Sequence, residues 1–204
     1  MTRVPEDIRA RLDAAAPAGI DYEATVSPQG AVTAWCGLAN SEDLLSVGET
    51  LLRLGARLAM ISALQPPAPE EEEEQETEEG AEADKPTKEP PKTFGGTPLD
   101  GTSYEIDYHF VLGGDFVTIT AYLPAGGSIS SLTPMFRSAD WPEREIMEMY
   151  AIVIRDHPDP RRLFLDPAIE SAALERLIPY STLVNAASTK GLWDKVLAAK
   201  GSAS

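Results

Sequence analysis

Little in this sequence could do chemistry alone. It holds a single cysteine, Cys36, and two histidines in 204 residues, so no internal disulfide can form and no cysteine framework exists here for zinc or an iron–sulfur cluster. Cys36 lies in AVTAWCGL, where it reads as a small buried hydrophobe at a strand end. Positive charge is scarce as well. Lys and Arg number 17 against 33 Asp and Glu, a formal charge of −16, which argues against nucleic acid or an anionic membrane surface as the main partner. No apolar run approaches the ~20 residues of a bilayer-spanning helix. The opening MTRVPEDIRARLDAAAPAG lacks the apolar core and cleavage site of a secretory signal. The expected location is therefore the cytoplasmic face of the cell membrane, reached only through partners. Walker and dinucleotide patterns are missing, Gly126-Gly127-Ser128-Ile129-Ser130 is too short for a phosphate loop, and no Ser-His-Asp arrangement can be read.

What is present begins with an amphipathic helix over residues 5–16, with Ile8, Leu12 and Ala15 or Ala16 on one face, ended by Gly19. Strands follow over Ile20–Val26 and Ala31–Trp35, joined by the turn Ser27-Pro28-Gln29-Gly30. Asn40 or Ser41 then caps a helix carrying Leu44, Leu45, Val47, Leu51, Leu52 and Leu54, with Gly55 as its stop and a strand over Arg57–Leu64 after it. Residues 66–98 break this pattern: eleven acids and three lysines give the segment −8 of the total charge. With so little apolar area to offset the ordering entropy of roughly 1–2 kcal/mol per residue, it is expected to be disordered.

Beyond it, Ser103–Leu112 alternates strictly. Tyr104, Ile106, Tyr108, Phe110 and Leu112 share one face; Glu105, Asp107 and His109 share the other, which is expected to be an exposed polar face. Gly113-Gly114-Asp115 turns the chain into Phe116–Leu123, making a hairpin. Sequence neighbours usually pair, so Arg57–Leu64 is expected beside Ser103–Leu112, with the acidic segment inserted between them. Pro167–Leu177 and Gly191–Ala199 read as short helices.

The densest chemistry runs from Asp140 to Leu165. Asp140 stands where a helix cap belongs, and Glu143 where a carboxylate reaches back to the cap's amide. Pro142 is tolerated in the first turn. Glu143 and Glu145 sit at the positive end of the helix dipole, and Arg144 and Glu148, four apart, are placed to pair. Ala151–Ile154 reads as a short buried strand. Asp156-His157-Pro158-Asp159-Pro160 must be a turn, from which Arg161 and Arg162 emerge. The carboxylates do not converge as a catalytic pair would, and His157 reads as a turn hydrogen-bonding residue.

In its order, Glu143-Arg144-Glu145, Glu148, His157-Pro158-Asp159, Arg161-Arg162 and the Leu-Phe-Leu run resembles the hallmark segment of the 30-kDa subunit family. That family occurs in the peripheral arm of respiratory NADH:quinone oxidoreductase, complex I, and in related energy-converting nickel–iron hydrogenases. The resemblance extends upstream through Ser130-Ser131-Leu132-Thr133-Pro134-Met135-Phe136 and Ser138-Ala139-Asp140-Trp141. Two departures stand out. Ala151 replaces a usual glycine, and Arg155-Asp156 replaces the customary residue and glycine before His157, so a slightly different backbone geometry is expected there. The tail LIPYSTLVNAASTKGLWDKV lacks the basic stretch of respiratory members and favours the hydrogenase branch over the 30-kDa subunit of the quinone oxidoreductase. An acidic adaptor that recruits a basic partner through residues 66–98 is the alternative of another class.

Residues and resemblance together imply an α+β fold: a mixed, largely antiparallel sheet with helices packed on it, a disordered acidic insertion and a helical C-terminal extension. Residues 1–65 form the N-terminal half of the domain, 66–98 the insertion, 99–165 the hairpin and hallmark segment, and 166–204 the extension. The resemblance implies a subunit that binds no metal or cofactor and catalyses nothing alone. Iron–sulfur clusters and a nickel–iron site or FMN would lie on partner chains. It further implies docking on a large subunit (49-kDa-like or nickel–iron), beside iron–sulfur subunits and only indirectly on the membrane arm. Glu143, Arg144, Glu145, Glu148, His157, Arg161 and Arg162 would form the subunit interface.

Overall fold

The strict alternation after Ser103 builds the middle of the molecule. In the computed structural model, which describes residues 3–66 and 97–166, it forms strand β4 (Tyr104–Leu112), paired antiparallel with β5 (Asp115–Leu123) from Tyr104 opposite Leu123 to Leu112 opposite Asp115. Gly113 and Gly114, with φ of 62° and 99°, supply the left-handed turn that a side chain would resist. Strand β3 (Arg57–Leu64) lies on the other side of β4, so the acidic segment does connect adjacent antiparallel strands. That segment, expected to be disordered, and the helices expected after Pro167 lie outside the described residues.

On the far side of β5 comes β2 (Val32–Leu38), parallel to it, and then β1 (Ile20–Val26), antiparallel to β2. The five-stranded order is β1-β2-β5-β4-β3, the mixed, largely antiparallel sheet that was expected. β2 runs three residues beyond the expected Trp35 because Ala34, Cys36 and Leu38 all face the core. Cys36 is thus mid-strand, fully buried, and its thiol is pushed up to about 12 by burial first and by nearby carboxylates second.

Helices α1 (Ile8–Ala15) and α2 (Leu44–Arg53) bury Ile8, Leu12, Leu44, Val47 and Leu51 in one cluster with Ile106, Tyr108, Phe110, Val117 and Ile119. The Asn40 side chain accepts from the Glu42 amide at 3.0 Å, capping the 3-10 turn that leads into α2. Gly48 of α2 lies under Leu132, where a Cβ would come within 3.1 Å of a leucine methyl. This close approach brings the segment 130–136 down onto the core.

The opposite sheet face differs from expectation. Glu105 and Asp107 are 7% and 6% exposed rather than solvated. β4 lies between β5 and β3, which supply polar partners: the Thr120 hydroxyl donates to Asp107 at 2.7 Å, and His109 bridges Ser62 and Thr118 at 3.2 and 3.0 Å. Burial raises the Asp107 carboxyl, while the Thr120 bond partly opposes the shift.

Candidate functional site

The segment singled out by its charge folds as a helix, a short strand and a turn at one end of the sheet. Helix α3 spans Asp140–Met149 and follows a 3-10 turn over Arg137–Ala139. The expected capping box does not form. Ala139 is the cap residue, its side chain makes no capping bond, and Asp140 is already helical. The preceding 3-10 turn displaces the cap by one residue and points Glu143 inward instead of back along the backbone.

Glu143 is completely buried and takes three bonds from the segment that precedes the helix. The Ser131 hydroxyl donates at 2.5 Å, the Leu132 amide at 2.7 Å and the Thr133 hydroxyl at 2.8 Å. Burial raises its carboxyl above the ordinary value, and these donors and His157 partly counter the shift. Nε2 of His157 lies 3.6 Å from Glu143 and 3.3 Å from both the Thr133 hydroxyl and the Asp140 carbonyl. The Asp159 amide donates to Nδ1 at 3.0 Å. With Nδ1 taken by the Asp159 amide, Nε2 is the ring nitrogen that faces Glu143, Thr133 and the Asp140 carbonyl. The expected turn hydrogen bond is therefore present, and through it a buried imidazole joins the turn to the helix.

Arg144 and Glu148 do not pair with each other. Arg144 donates to the carbonyls of Arg161 and Arg162 at 2.8 and 3.0 Å and lies 3.7 Å from Asp159 and 3.9 Å from Asp140. Glu148, 3% exposed, accepts from the amides of Leu163, Phe164 and Leu165. The backbone returning from the turn offers more donors and acceptors than one neighbouring side group would. Each partner accordingly satisfies backbone groups that would otherwise be unpaired. One helix face so fixes the path of residues 161–165.

The strand expected over Ala151–Ile154 is β7 (Val153–Arg155), parallel to β6 (Ser128–Ser130), with Ile152 and Ile154 buried. Asp156 has φ of +58°, the only positive φ of a non-glycine residue among those described. The left-handed turn before His157 is thus made here by an aspartate, a residue type that tolerates it with some strain. Arg155 reaches back to both carboxylate oxygens of Glu42 at 2.6 Å, joining β7 to the entrance of α2.

Glu145 and Arg161 face solvent, and Arg162 is half-buried. The Arg161 side chain is 82% exposed, with Nε and Nη2 engaged by Asp159 at 2.7 and 2.6 Å. That pair holds the Asp159 carboxyl well below the usual range. A cleft of about 240 Å³ runs between β3 and α3, lined by Ile61–Ala63, Pro142, Glu145, Ile146, Met149 and Tyr150. Among the described residues no three His, Cys, Asp or Glu are grouped to hold a metal, and no helix is long and apolar enough to cross a membrane. Sequence reasoning missed Ser131 and Thr133 as the partners of Glu143. Two hydroxyls flanking Leu132 were the available signal.

Residues 91–182 match the family model described as respiratory-chain NADH dehydrogenase, 30 Kd subunit. The C-type subunit of the NADH-quinone oxidoreductase of Paramagnetospirillum magneticum is 39% identical over 57 residues, 28% of this sequence and 29% of that protein. Its Maricaulis maris counterpart is 41% identical over 56 residues, 28% of each protein. The counterpart from Rhodopseudomonas palustris is 34% identical over 83 residues, 40% of this sequence and 41% of that one. The matched stretch therefore spans well under half the length of these relatives. Their names are those of quinone oxidoreductase subunits and lend the hydrogenase branch no support. The helix, the proline-bounded turn and the arginine pair form one interlocked unit inside the matched region, and it is this stretch of the chain that is similar to the 30-kDa subunit family of the respiratory-chain NADH dehydrogenase.

Proposed function

We propose that this chain is a peripheral-arm subunit of an NADH-quinone oxidoreductase, docking on the large subunit through the face built by α3 and the turn that follows, and catalysing nothing alone. The observation that carries this reading is where the hallmark charges go. Glu143, Arg144, Glu148 and His157 are spent inside the chain, where they fix residues 156–165 against α3. A surface fixed in advance loses little entropy on association, which is what an assembly subunit needs and a mobile catalytic loop does not. In this reading iron–sulfur clusters and FMN reside on partner chains, and contact with the membrane arm is indirect. The quinone-oxidoreductase branch is preferred over hydrogenase because the named relatives belong to it.

Purification of the tagged full-length chain from its own cells in mild detergent tests this. The expected result is co-purification of a large subunit without paired CxxC nickel ligands, together with iron–sulfur subunits. A large subunit that carries such ligands moves the chain to the hydrogenase branch. Recovery of the chain alone overturns the reading. An adaptor, by contrast, would lose its partner when residues 68–92 are deleted, whereas a subunit would still assemble.

A further inference from the structure

The docking reading leaves open which side chains hold the partner, and the hallmark charges are poorly placed for it. Arg144 is bonded inward, and the Arg161 guanidinium is already engaged on two nitrogens by Asp159. An exposed charge with a carboxylate partner of its own adds little on binding. Two large aromatic side chains stand out instead: Trp141 is 62% exposed and Phe164 61%. They are not scattered. Trp141, Arg144 and Glu148 occupy positions i, i+3 and i+7 of α3 and so share one stripe. The Arg144 bonds to the carbonyls of Arg161 and Arg162 and the Glu148 bonds to the amides of Leu163, Phe164 and Leu165 lay the returning backbone along that stripe. At 1.5 Å per residue, the helix positions that carry Trp141 and anchor Phe164 are about 10 Å apart along the axis. Both aromatics sit on backbone held by helix or charge-assisted bonds. Arg161 lies between them in the path of the chain, with Nη1 unbonded among the described residues.

We infer that Trp141 and Phe164 are the principal anchors of the docking face, and that the partner, a protein surface, offers two apolar sockets separated by a carboxylate that takes the outer edge of Arg161. This rests on the docking reading above. Aromatic residues on rigid backbone supply most of the burial energy at such interfaces, and a preformed arginine fork sets orientation. The Nη1 edge, unbonded among the described residues, is what selects an acidic partner group at the centre.

The test measures binding of the purified full-length chain to the purified large subunit of the same complex, by calorimetry, for the parent and for Trp141→Ala, Phe164→Ala and Arg161→Ala. Because both aromatics are largely exposed, thermal melts should stay close to the parent's. Each aromatic substitution is expected to weaken binding by about 10- to 100-fold, and Arg161→Ala by less than about 10-fold. Aromatic variants that bind within about threefold of the parent, while the parent binds well, overturn the inference and leave the docking reading standing. A parent that fails to bind the large subunit removes both. A parent that instead self-associates through Trp141 and Phe164 overturns the assigned partner.

Discussion

The sheet with its two N-terminal helices and the unit from α3 to Leu165 are held together by different physics. In the first, Leu12, Leu44, Leu51, Tyr108 and Ile119 are packed at or near zero exposure, and exchange among apolar residues of similar volume is tolerable. In the second, a fully buried carboxylate, a buried imidazole and an inward-turned guanidinium satisfy backbone groups at distances of 2.7–3.3 Å. Such a network tolerates little, because removing one member strands its partners. Most of the charge in this second unit is thus scaffold, and the face it supports is shaped by what remains outside.

The largest effect should come from breaking the polar unit at its centre. Glu143→Ala strands two hydroxyls and an amide and is expected to cost about 3–5 kcal/mol, against about 0.5–1.5 kcal/mol for Ile119→Val in the apolar core. Urea midpoints of the two variants measure the contrast; equal costs would erase it. The same residue gives a pH signature. Burial raises the Glu143 carboxyl, so the folded state holds its proton more tightly than the unfolded state does. Its contribution to stability should therefore fall as pH climbs from the ordinary glutamate value through the raised one. Glu143→Gln should abolish that part of the slope in a series of melts.

A smaller and more local effect is expected from Glu148→Gln. Loss of the charged acceptor should speed hydrogen exchange at Leu163, Phe164 and Leu165 while leaving the exchange of β4 and β5 unchanged. Acceleration spread over the whole sheet would contradict the division into two regions. The smallest expected effect is a gain: Asp156→Gly relieves the φ of +58° and should stabilise by up to about 1 kcal/mol, seen as a rise in Tm.

The apolar half was largely legible in the sequence. Period-two alternation placed β4, and the Gly-Gly turn placed β5; Gly55 ended α2, and proximity in sequence put β3 beside β4. Errors arose where tertiary contact overrode a local rule. Asp140 looked like a cap, but the 3-10 turn before it shifted the helix start. Glu105 and Asp107 looked solvated, but side chains of the flanking strands cover that face, a fact visible only once strand order is known. Arg144 and Glu148 looked like a helix pair because spacing shows neighbours on the same element. The carbonyl of Arg162 and the amide of Phe164 that they serve arrive from 18 and 16 residues away. For the same reason the hallmark residues were legible as a group while their partners, Ser131 and Thr133, were not.

The central claim is that the unit from α3 to Leu165 is a prebuilt docking face. Hydrogen–deuterium exchange of the full-length chain, free and within the purified assembly, tests it most directly. The account predicts that residues 131–133 and 161–165 exchange slowly already in the free protein, and that assembly adds protection on the outer stripe of α3 and on residues 161–165, leaving the β1–β2 hairpin as it was. Rapid exchange of 161–165 in the free protein, or new protection confined to the hairpin, would contradict it.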